Sequence, residues 1–445
     1  MTIPTNILAL VFVLSFLIVF HEGGHFAVAK LFKFPVEVFS LGFGKRLFGW
    51  KRKETDYRVS LVPLGGYVKV VGLGPDESDI VSGTAETAPV QPGSRFQRLL
   101  ILFAGPGVNL VLAFLLTALA FLVGVEVASY KAETPVVKVV DRGSPADKAG
   151  IKEGDRIETI SGKPVKTWED VEIETGLAPR EKLAVGIVRD GVPLTLDLTP
   201  EPRTKYDIGY TGLNPAILAV VARVVPGYPG AKAGLRVGDQ IVSVNGRPVV
   251  LYFEVVRYIR EAAAGFDKDG PKPIEMVVKR GGETQVLNVV PVKEGENWRI
   301  GFAPKEETTV RRLGLGAALG ASWRENLRQV QVTGQIVGRL FRGTGSMRQL
   351  SGPIDIAKFS GEAARSGVAP LVMLMGVLSL QLGLLNLLPI PLLDGGQIFV
   401  TLLEAVAQRD FSLKVKERLL QAGFVFLVLV MATVLYFDVL KNVTF

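Results

Sequence analysis

The chain alternates between long apolar runs and stretches of mixed polarity. Four apolar runs stand out, at about residues 3–20, 99–127, 368–388 and 419–440. Each run approaches the roughly 20 residues that a helix needs to cross the hydrocarbon layer of a membrane. The pattern therefore predicts a polytopic α-helical membrane protein with four transmembrane helices.

The first apolar run has the position of a signal peptide but not its sequence. It has no basic segment before it and no Ala-x-Ala site after it, and it continues directly into His21. We therefore expect this run to be a retained transmembrane helix.

Basic residues are concentrated in two of the connecting loops, at residues 30–58 and 409–418. Because cytoplasmic loops carry an excess of Lys and Arg, both loops are expected in the cytoplasm. The long segment between the second and third runs then lies outside, in the periplasm of a bacterial cell. The first and third runs cross in the same direction, so their C-terminal ends are expected at the same depth.

The segment outside the membrane contains an internal repeat. Residues 144–157, Ser-Pro-Ala-Asp-Lys-Ala-Gly-Ile-Lys-Glu-Gly-Asp-Arg-Ile, match residues 228–241, Tyr-Pro-Gly-Ala-Lys-Ala-Gly-Leu-Arg-Val-Gly-Asp-Gln-Ile, without a gap. Each copy predicts a strand, a short helix, a Gly-Asp turn, a strand and a longer helix. The copies resemble two PDZ domains (α+β) of the circularly permuted bacterial kind. PDZ domains bind extended peptides or C-termini by strand addition, although two spacer domains without a ligand would give the same repeat.

Residues 306–366, which follow the repeat, combine arginines with apolar residues. This combination predicts amphipathic helices that lie along the outer membrane surface. Helices that pack only on the PDZ domains are an equal alternative.

The composition excludes several classes of function. The net charge of +8 comes with no basic arm and no stacking motif, so a nucleic-acid partner is not expected. The chain has no cysteine, so no disulfide, thiolate ligand or cysteine nucleophile is available. It has two histidines, His21 and His25. Two are too few for a membrane di-iron hydroxylase, and no third histidine could serve as the base of a serine protease.

Both histidines belong to one HExxH motif, His21-Glu22-Gly23-Gly24-His25, at the end of the first apolar run. On a helix, positions i and i+4 share a face, so both imidazoles can reach one ion. Zinc is the metal that suits this motif, and Glu22 is then a candidate for the general base. The alternative is a pair of interfacial histidines at a helix end. However, a charged residue in an apolar run is costly unless it has a function.

A catalytic zinc site usually has three protein ligands. Because the chain has no further His and no Cys, the third ligand must be Asp or Glu. The candidate is Asp394, which follows the third run at the depth expected for the histidines. The two preceding prolines break the helix, and the two following glycines free the backbone. Alternatively, Asp394 is only the N-cap of a helix that starts near Gly395.

These paired motifs, HExxH in the first run and Asn386-Leu-Leu-Pro-Ile-Pro-Leu-Leu-Asp394-Gly after the third, resemble those of the site-2 protease family (peptidase M50). Four further stretches resemble the same family: Ser40–Gly44, Pro63–Lys69, Phe103–Pro106 with Asn109, and Ser351–Ile354. The resemblance implies zinc as the cofactor, His21, His25 and Asp394 as its ligands, Glu22 as the catalytic base and Asn386 as a residue that contacts the substrate. Gly23 departs from the family, where relatives often carry a bulkier residue.

The resemblance also implies the partners of the protein. Substrates of the family are single-span membrane proteins, such as an anti-sigma factor that another protease has already trimmed, and remnant signal peptides are a second class. Membrane lipid surrounds the site. The resemblance further implies a membrane-associated β-hairpin near the zinc. Here residues 57–61 predict one strand, residues 63–66 a turn and residues 67–70 a second strand. An ordinary cytoplasmic hairpin is the alternative.

Together these expectations define a multi-pass protein of the bacterial inner membrane that acts as a zinc metalloendopeptidase. A rival from another class is a catalytically silent membrane scaffold that binds partners through its PDZ tandem. The expected segments are helix one with HExxH at 1–25, the hairpin loop at 26–98, helix two at 99–127, the PDZ domains at 130–205 and 212–305, the amphipathic periplasmic helices at 306–366, helix three at 367–390, the Leu-Asp-Gly segment at 391–417 and helix four at 418–440.

Overall fold

A computed structural model describes residues 2–71, 93–266, 270–294 and 297–443. The chain forms two compact units. We call Met1–Val125, Arg311–Gly338 and Ser346–Phe445 the membrane unit, and Glu126–Val310 with Arg339–Gly345 the repeat unit.

The membrane unit is built mainly from helices, and its described part contains four helices that are long and apolar enough to span a membrane. The predicted class of polytopic helical membrane protein is therefore confirmed. The helices are α1 (Thr2–Leu31), α2 (Arg95–Val123), α7 (Leu315–Phe341), α8 (Pro353–Ser366), α9 (Val368–Asn386), α10 (Asp394–Val406) and α11 (Leu413–Val443), of which α1, α2, α9 and α11 are the candidate spans.

Helix α2 packs against both α1 and α9 and forms the centre of the membrane unit. Its N-terminus is fixed by a capping box, in which Ser94 accepts from the backbone of Gln97 while the Gln97 side chain accepts from the backbone of Ser94. Small residues allow close approach to α9, where Gly376 lies against Thr117. The three helices enclose an apolar core made of Val13, Leu17, Leu112, Leu116 and Met375.

Between α1 and α2, two long antiparallel strands form a hairpin: β1 (Val36–Arg52) and β2 (Thr55–Val70). The chain reverses direction near the turn predicted at residues 63–66, since residues 56–59 and 66–69 run in opposite directions along residues 38–41. These two segments are not paired with each other, because residues 38–41 lie between them. A further reversal lies at residues 53–54, where Lys53 has the left-handed φ of 52° that tight hairpin turns use. Gly65 also serves packing, since a Cβ there would lie 1.9 Å from the Phe43 ring.

The hairpin is folded back on itself. Residues 38–41 of β1 are paired with residues 66–69 and also with residues 56–59 of β2. Residues 66–69 therefore lie at an edge, and among the described residues no other strand pairs with them. We call residues 66–70 the edge segment.

Helices α8 and α11 are joined by a buried ion cluster. Lys441 Nζ lies 2.7 Å from an Asp355 carboxylate oxygen and 2.8 Å from the Leu350 carbonyl. Asp438 accepts from the backbone N–H of Ile354 at 2.8 Å. The side chains of Asp355, Asp438 and Lys441 are completely buried, so removal of one partner would leave an uncompensated charge.

The repeat unit contains two copies of one α+β arrangement, each with a four-stranded sheet and its own apolar core. The sheet orders are β6-β5-β7-β8 and β14-β13-β15-β16. The strands are β3 (Val125–Ala128), β4 (Val139–Val140), β5 (Arg156–Ile160), β6 (Lys163–Pro164), β7 (Leu183–Arg189), β8 (Val192–Leu198), β9 (Glu201–Arg203), β10 (Ile208–Tyr210), β11 (Leu213–Asn214), β12 (Val221–Val224), β13 (Gln240–Val244), β14 (Arg247–Pro248), β15 (Ile274–Arg280), β16 (Glu283–Val289), β17 (Val292–Glu294), β18 (Asn297–Arg299), β19 (Phe302–Pro304) and β20 (Thr308–Arg311); the helices are α3 (Pro145–Lys148), α4 (Trp168–Gly176), α5 (Pro229–Lys232) and α6 (Tyr252–Ala264).

In each copy, a closing strand that follows the main sheet in the sequence pairs with a strand that precedes that sheet. In the first copy β11 pairs with β4, and in the second copy β19 pairs with β12. The first copy therefore extends to Asn214, beyond the boundary expected at residue 205, because its closing strand is short and separated from the sheet by β9 and β10.

Candidate metal centre

The HExxH motif lies on a helix, as its spacing predicts. His21 and His25 are one turn apart on α1, and both are buried. Helix α1 continues to Leu31, ten residues beyond His21, which corresponds to about 15 Å at 1.5 Å per residue. The histidines therefore lie well inside the helix and not at its end, which argues against interfacial histidines that only cap a helix.

The predicted third ligand lies next to both histidines. Asp394 Oδ2 is 3.2 Å from His21 Nε2, and Asp394 Oδ1 is 3.4 Å from His25 Nε2. The two Nε2 atoms are 3.4 Å apart. The three side chains are the group of potential metal ligands that the described part of the chain brings together.

This cluster fits a zinc ion. Two ligand atoms that bind one ion at 2.0–2.1 Å with a tetrahedral angle lie about 3.3 Å apart. The contacts here are 3.2–3.4 Å, and the two histidines lie nearest to different oxygens of Asp394. Two imidazoles and one carboxylate are also a usual ligand set for catalytic zinc, which keeps a fourth position open.

The backbone around Asp394 explains how the acid reaches the histidines. Helix α9 ends at Asn386, and α10 begins at Asp394 after the two prolines. A Cβ on Gly395 would lie 2.3 Å from the Leu387 carbonyl, and one on Gly396 would lie 2.0 Å from the Ile390 carbonyl. Only glycine fits these positions, so the Asp-Gly-Gly sequence lets α10 start directly against the preceding turn.

Asn386 and Glu22 line the same cavity as His21, His25 and Asp394. The Asn386 amide nitrogen is 3.3 Å from His21 Nε2. Glu22 lines a cavity of about 320 Å³ together with both histidines and Asp394. The structure thus brings together all five residues that the sequence singles out for chemistry.

The edge segment lines the same cavity, through Gly66, Tyr67, Val68 and Val70. Gly66 brings it close to α1, because a Cβ there would lie 2.8 Å from the Ile18 side chain and 3.3 Å from Glu22 Cγ. The edge segment therefore faces the candidate metal centre.

Helix α2 contributes contacts that the sequence analysis does not assign. His25 Nδ1 donates to the Ile101 carbonyl at 2.8 Å, and His21 Nδ1 lies 3.0 Å from the Asn109 amide. A Cβ on Gly105 would lie 2.2 Å from His25 Nε2. A polar Asn in the middle of an apolar span was the available signal, because such residues need a partner.

Four candidate spans, a cavity and a His-His-Asp cluster with an adjacent glutamate define the class: a membrane-embedded metallopeptidase. Comparison with known proteins gives the family. The family model described as "Peptidase family M50" matches residues 9–430, so the chain belongs to peptidase family M50.

Curated relatives match over nearly the full length. The regulator of sigma-E protease RseP of Salmonella typhimurium is 30% identical over 462 residues, with 98% of this chain and 99% of the relative covered. The protease RseP of Yersinia pestis is 31% identical over 465 residues, with coverages of 98% and 99%. The regulator of sigma-E protease RseP of Escherichia coli is 30% identical over 449 residues, with 96% of each chain covered.

Among solved structures, a PDZ domain from Listeria monocytogenes covers 20% of this chain at 20% identity, with a TM-score of 0.17. That score carries no argument about the fold. Membership of the family and the similarity to these relatives establish the function: the chain is a zinc metalloprotease of regulated intramembrane proteolysis.

Proposed function

We propose that the zinc ion of this protease is held by Nε2 of His21, Nε2 of His25 and the carboxylate of Asp394. The observation that supports the proposal is the cluster of two Nε2 atoms and the Asp394 carboxylate, whose contacts of 3.2–3.4 Å match the spacing of ligands around one tetrahedral ion. Asp394 is then a ligand and not only the first residue of α10.

A zinc ion held by these residues would supply a Lewis acid for a water molecule and for the scissile carbonyl. Glu22 lines the same cavity as the ligands and acts as the general base. It accepts a proton from the attacking water and delivers it to the amine that leaves. The Asn386 amide donates to the carbonyl oxygen as negative charge develops on it.

The edge segment is proposed to hold the substrate. A transmembrane helix hides its peptide bonds in its own hydrogen bonds, so a substrate must unwind before it can be cut. An extended segment can add to the sheet along the edge segment, and its peptide bonds then face the cavity that contains Glu22. The hairpin is membrane-associated in this account.

The substrates proposed are single-span membrane proteins, such as an anti-sigma factor already trimmed by another protease, with remnant signal peptides as a second class. Relatives that are named regulators of sigma-E support the first class. The protein would lie in the bacterial inner membrane, with the basic loops in the cytoplasm and the two repeat copies, as circularly permuted PDZ domains, in the periplasm.

A cleavage assay tests the proposal. The purified protein in detergent is incubated with a model single-span substrate, and the same reaction is run with a zinc chelator and again after zinc is restored. We expect cleavage that the chelator abolishes and zinc restores. Cleavage that is indifferent to the chelator would overturn the proposal, and a protein that binds no zinc and cuts nothing would indicate a silent scaffold.

A further inference from the structure

Each histidine of the metal centre has a second ring nitrogen, Nδ1, and helix α2 contacts both. The Ile101 carbonyl is 2.8 Å from His25 Nδ1, and the Asn109 amide is 3.0 Å from His21 Nδ1. Residues 101, 105 and 109 follow one another at four-residue spacing, so they lie on one face of the helix. Gly105, in the middle of this face, leaves room for the His25 ring.

The chemistry of imidazole decides what Asn109 must do. A neutral histidine that binds a metal through Nε2 carries its proton on Nδ1, and that N–H needs an acceptor. The Ile101 carbonyl is such an acceptor for His25. Asn109 is the group at the corresponding place for His21, and it can accept only through its side-chain oxygen.

The orientation of the amide is fixed by this requirement. If Asn109 Nδ2 faces His21 Nδ1, the ring must carry its proton on Nε2, and Asn109 Oδ1 is buried without a hydrogen-bond partner in the described structure. The oxygen and nitrogen of an amide are distinguished by the network around them. With metal at Nε2, only the opposite orientation, Oδ1 towards Nδ1–H, gives the ring a hydrogen bond.

Asn109 also joins two helices through its backbone. It is completely buried, and its carbonyl accepts from the Ser379 hydroxyl of α9 at 2.8 Å. Helix α9 leads to Asn386 and then to Asp394. The side chain and the main chain of Asn109 therefore have different partners, and substitutions can separate their roles.

We propose that Asn109 is a positioning residue of the metal centre, which accepts the Nδ1–H of His21 through its side-chain oxygen and thereby presents Nε2 to zinc. The inference rests on the proposed zinc site. Asn109 acts through His21 and does not touch the substrate.

The test measures zinc affinity of the purified full chain in detergent by competition with a chelator. Asn109→Leu keeps the branched shape of the side chain and removes the acceptor, and we expect it to weaken zinc binding by roughly 10- to 100-fold. Asn109→Asp keeps an acceptor and is expected to bind zinc at least as tightly as the wild type. Ser379→Ala, which removes only the main-chain contact, is the control and should stay within about twofold of the wild type.

A second readout separates positioning from general loss of structure. The visible spectrum of the cobalt-substituted protein reports the ligand geometry; it should change in Asn109→Leu and be retained in Asn109→Asp. Wild-type zinc affinity in Asn109→Leu would overturn the inference, and so would loss of zinc in Asn109→Asp, because a carboxylate can accept but not donate. If Asn109→Leu does not fold, Asn109→Asp alone decides. A wild-type chain that binds no zinc would instead refute the proposed function.

Discussion

Gly24 of α1 lies directly against Ala104 of α2: a Cβ at Gly24 would be 2.5 Å from the Ala104 carbonyl oxygen. Its neighbour Gly23 faces open space, with nothing within 4 Å of a Cβ. The two glycines of the HExxH motif therefore have different roles. Gly24 allows the helix that carries the histidines to approach α2, whereas Gly23 can be replaced by a bulkier residue.

The two glycines give a matched pair of variants. Gly23→Ala should keep full activity and raise the stability of α1 by up to about 1 kcal/mol, because alanine is the better helix former. Gly24→Ala should separate α1 from α2 and lose most zinc and activity. Zinc content and cleavage rate of the two purified variants check this. Equal zinc content and equal cleavage rates in the two variants would contradict the packing described.

Gly105 leads to a second prediction. Because its Cβ would lie 2.2 Å from His25 Nε2, the methyl group of Gly105→Ala would occupy the space of the metal-binding nitrogen. We expect the variant to lose zinc while it retains helix content by circular dichroism. Stoichiometric zinc in Gly105→Ala would show that the His25 ring can move without loss of the site.

Asp394 provides a direct test of the third ligand. Asp394→Ala should lose both zinc and cleavage, because two imidazoles alone bind zinc poorly. Metal analysis of the purified variant gives the answer. Full zinc occupancy would mean that another carboxylate completes the site.

Much of the membrane unit could be predicted from sequence because its signals are local. Apolar runs mark the spans, the four-residue spacing places His21 and His25 on one face, and the elimination of other ligand types indicates Asp394. The tight turn at residues 53–54 was missed because Lys53 and Glu54 are not typical turn residues, whereas the reversal near Gly65 and Gly66 is indicated by the sequence. Asn109 was missed as a contact of His21 because that contact depends on how α1 and α2 pack.

The repeat unit provides a prediction with an internal control. Asp239 is completely buried; Arg280 donates to both carboxylate oxygens at 2.7 Å, and the backbone N–H of Arg236 donates at 2.8 Å. The first copy has the equivalent pair, Asp155 and Arg189. Arg280→Met should destabilise the second copy, since it leaves the Asp239 carboxylate without its ion-pair partner. Arg189→Met should do the same to the first copy.

The destabilisation by Arg280→Met should depend on pH in one definite direction. Burial of Asp239 opposes ionisation, but the hydrogen bonds from Arg280 and Arg236 outweigh it and lower the pKa below 3.8. A lowered folded pKa stabilises the fold above the ordinary pKa, and this stabilisation is lost as the pH falls through the folded pKa. The protection of the β13 and β15 amides against hydrogen exchange, corrected for the intrinsic exchange rate, should therefore be higher in the wild type than in Arg280→Met at neutral pH. The two protection values should converge below pH 3.8. A difference in protection between the wild type and Arg280→Met that does not depend on pH would contradict this.

The tandem of two repeat copies is expected to filter substrates by the size of their outer domain and to take no part in the chemistry. The reason is its place in the chain, between the second and third spans. Replacement of residues 130–305 by a flexible linker should allow an intact substrate to be cut, while a pre-trimmed substrate is cut about as before. If the intact substrate stays uncut and the trimmed one also stops being cut, the tandem recruits substrates instead.

The most direct test of the account is Glu22→Gln, measured for zinc content and for cleavage of a single-span substrate in the same preparation. Glu22 lies between the two histidines in the sequence and lines the same cavity, but it is not one of the three residues of the candidate metal cluster. The account predicts that Glu22→Gln binds zinc as the wild type does and cleaves at least about 100-fold more slowly, the low end of the effect of general acid-base groups. Cleavage at the wild-type rate by zinc-loaded Glu22→Gln would contradict the assignment of Glu22 as the base.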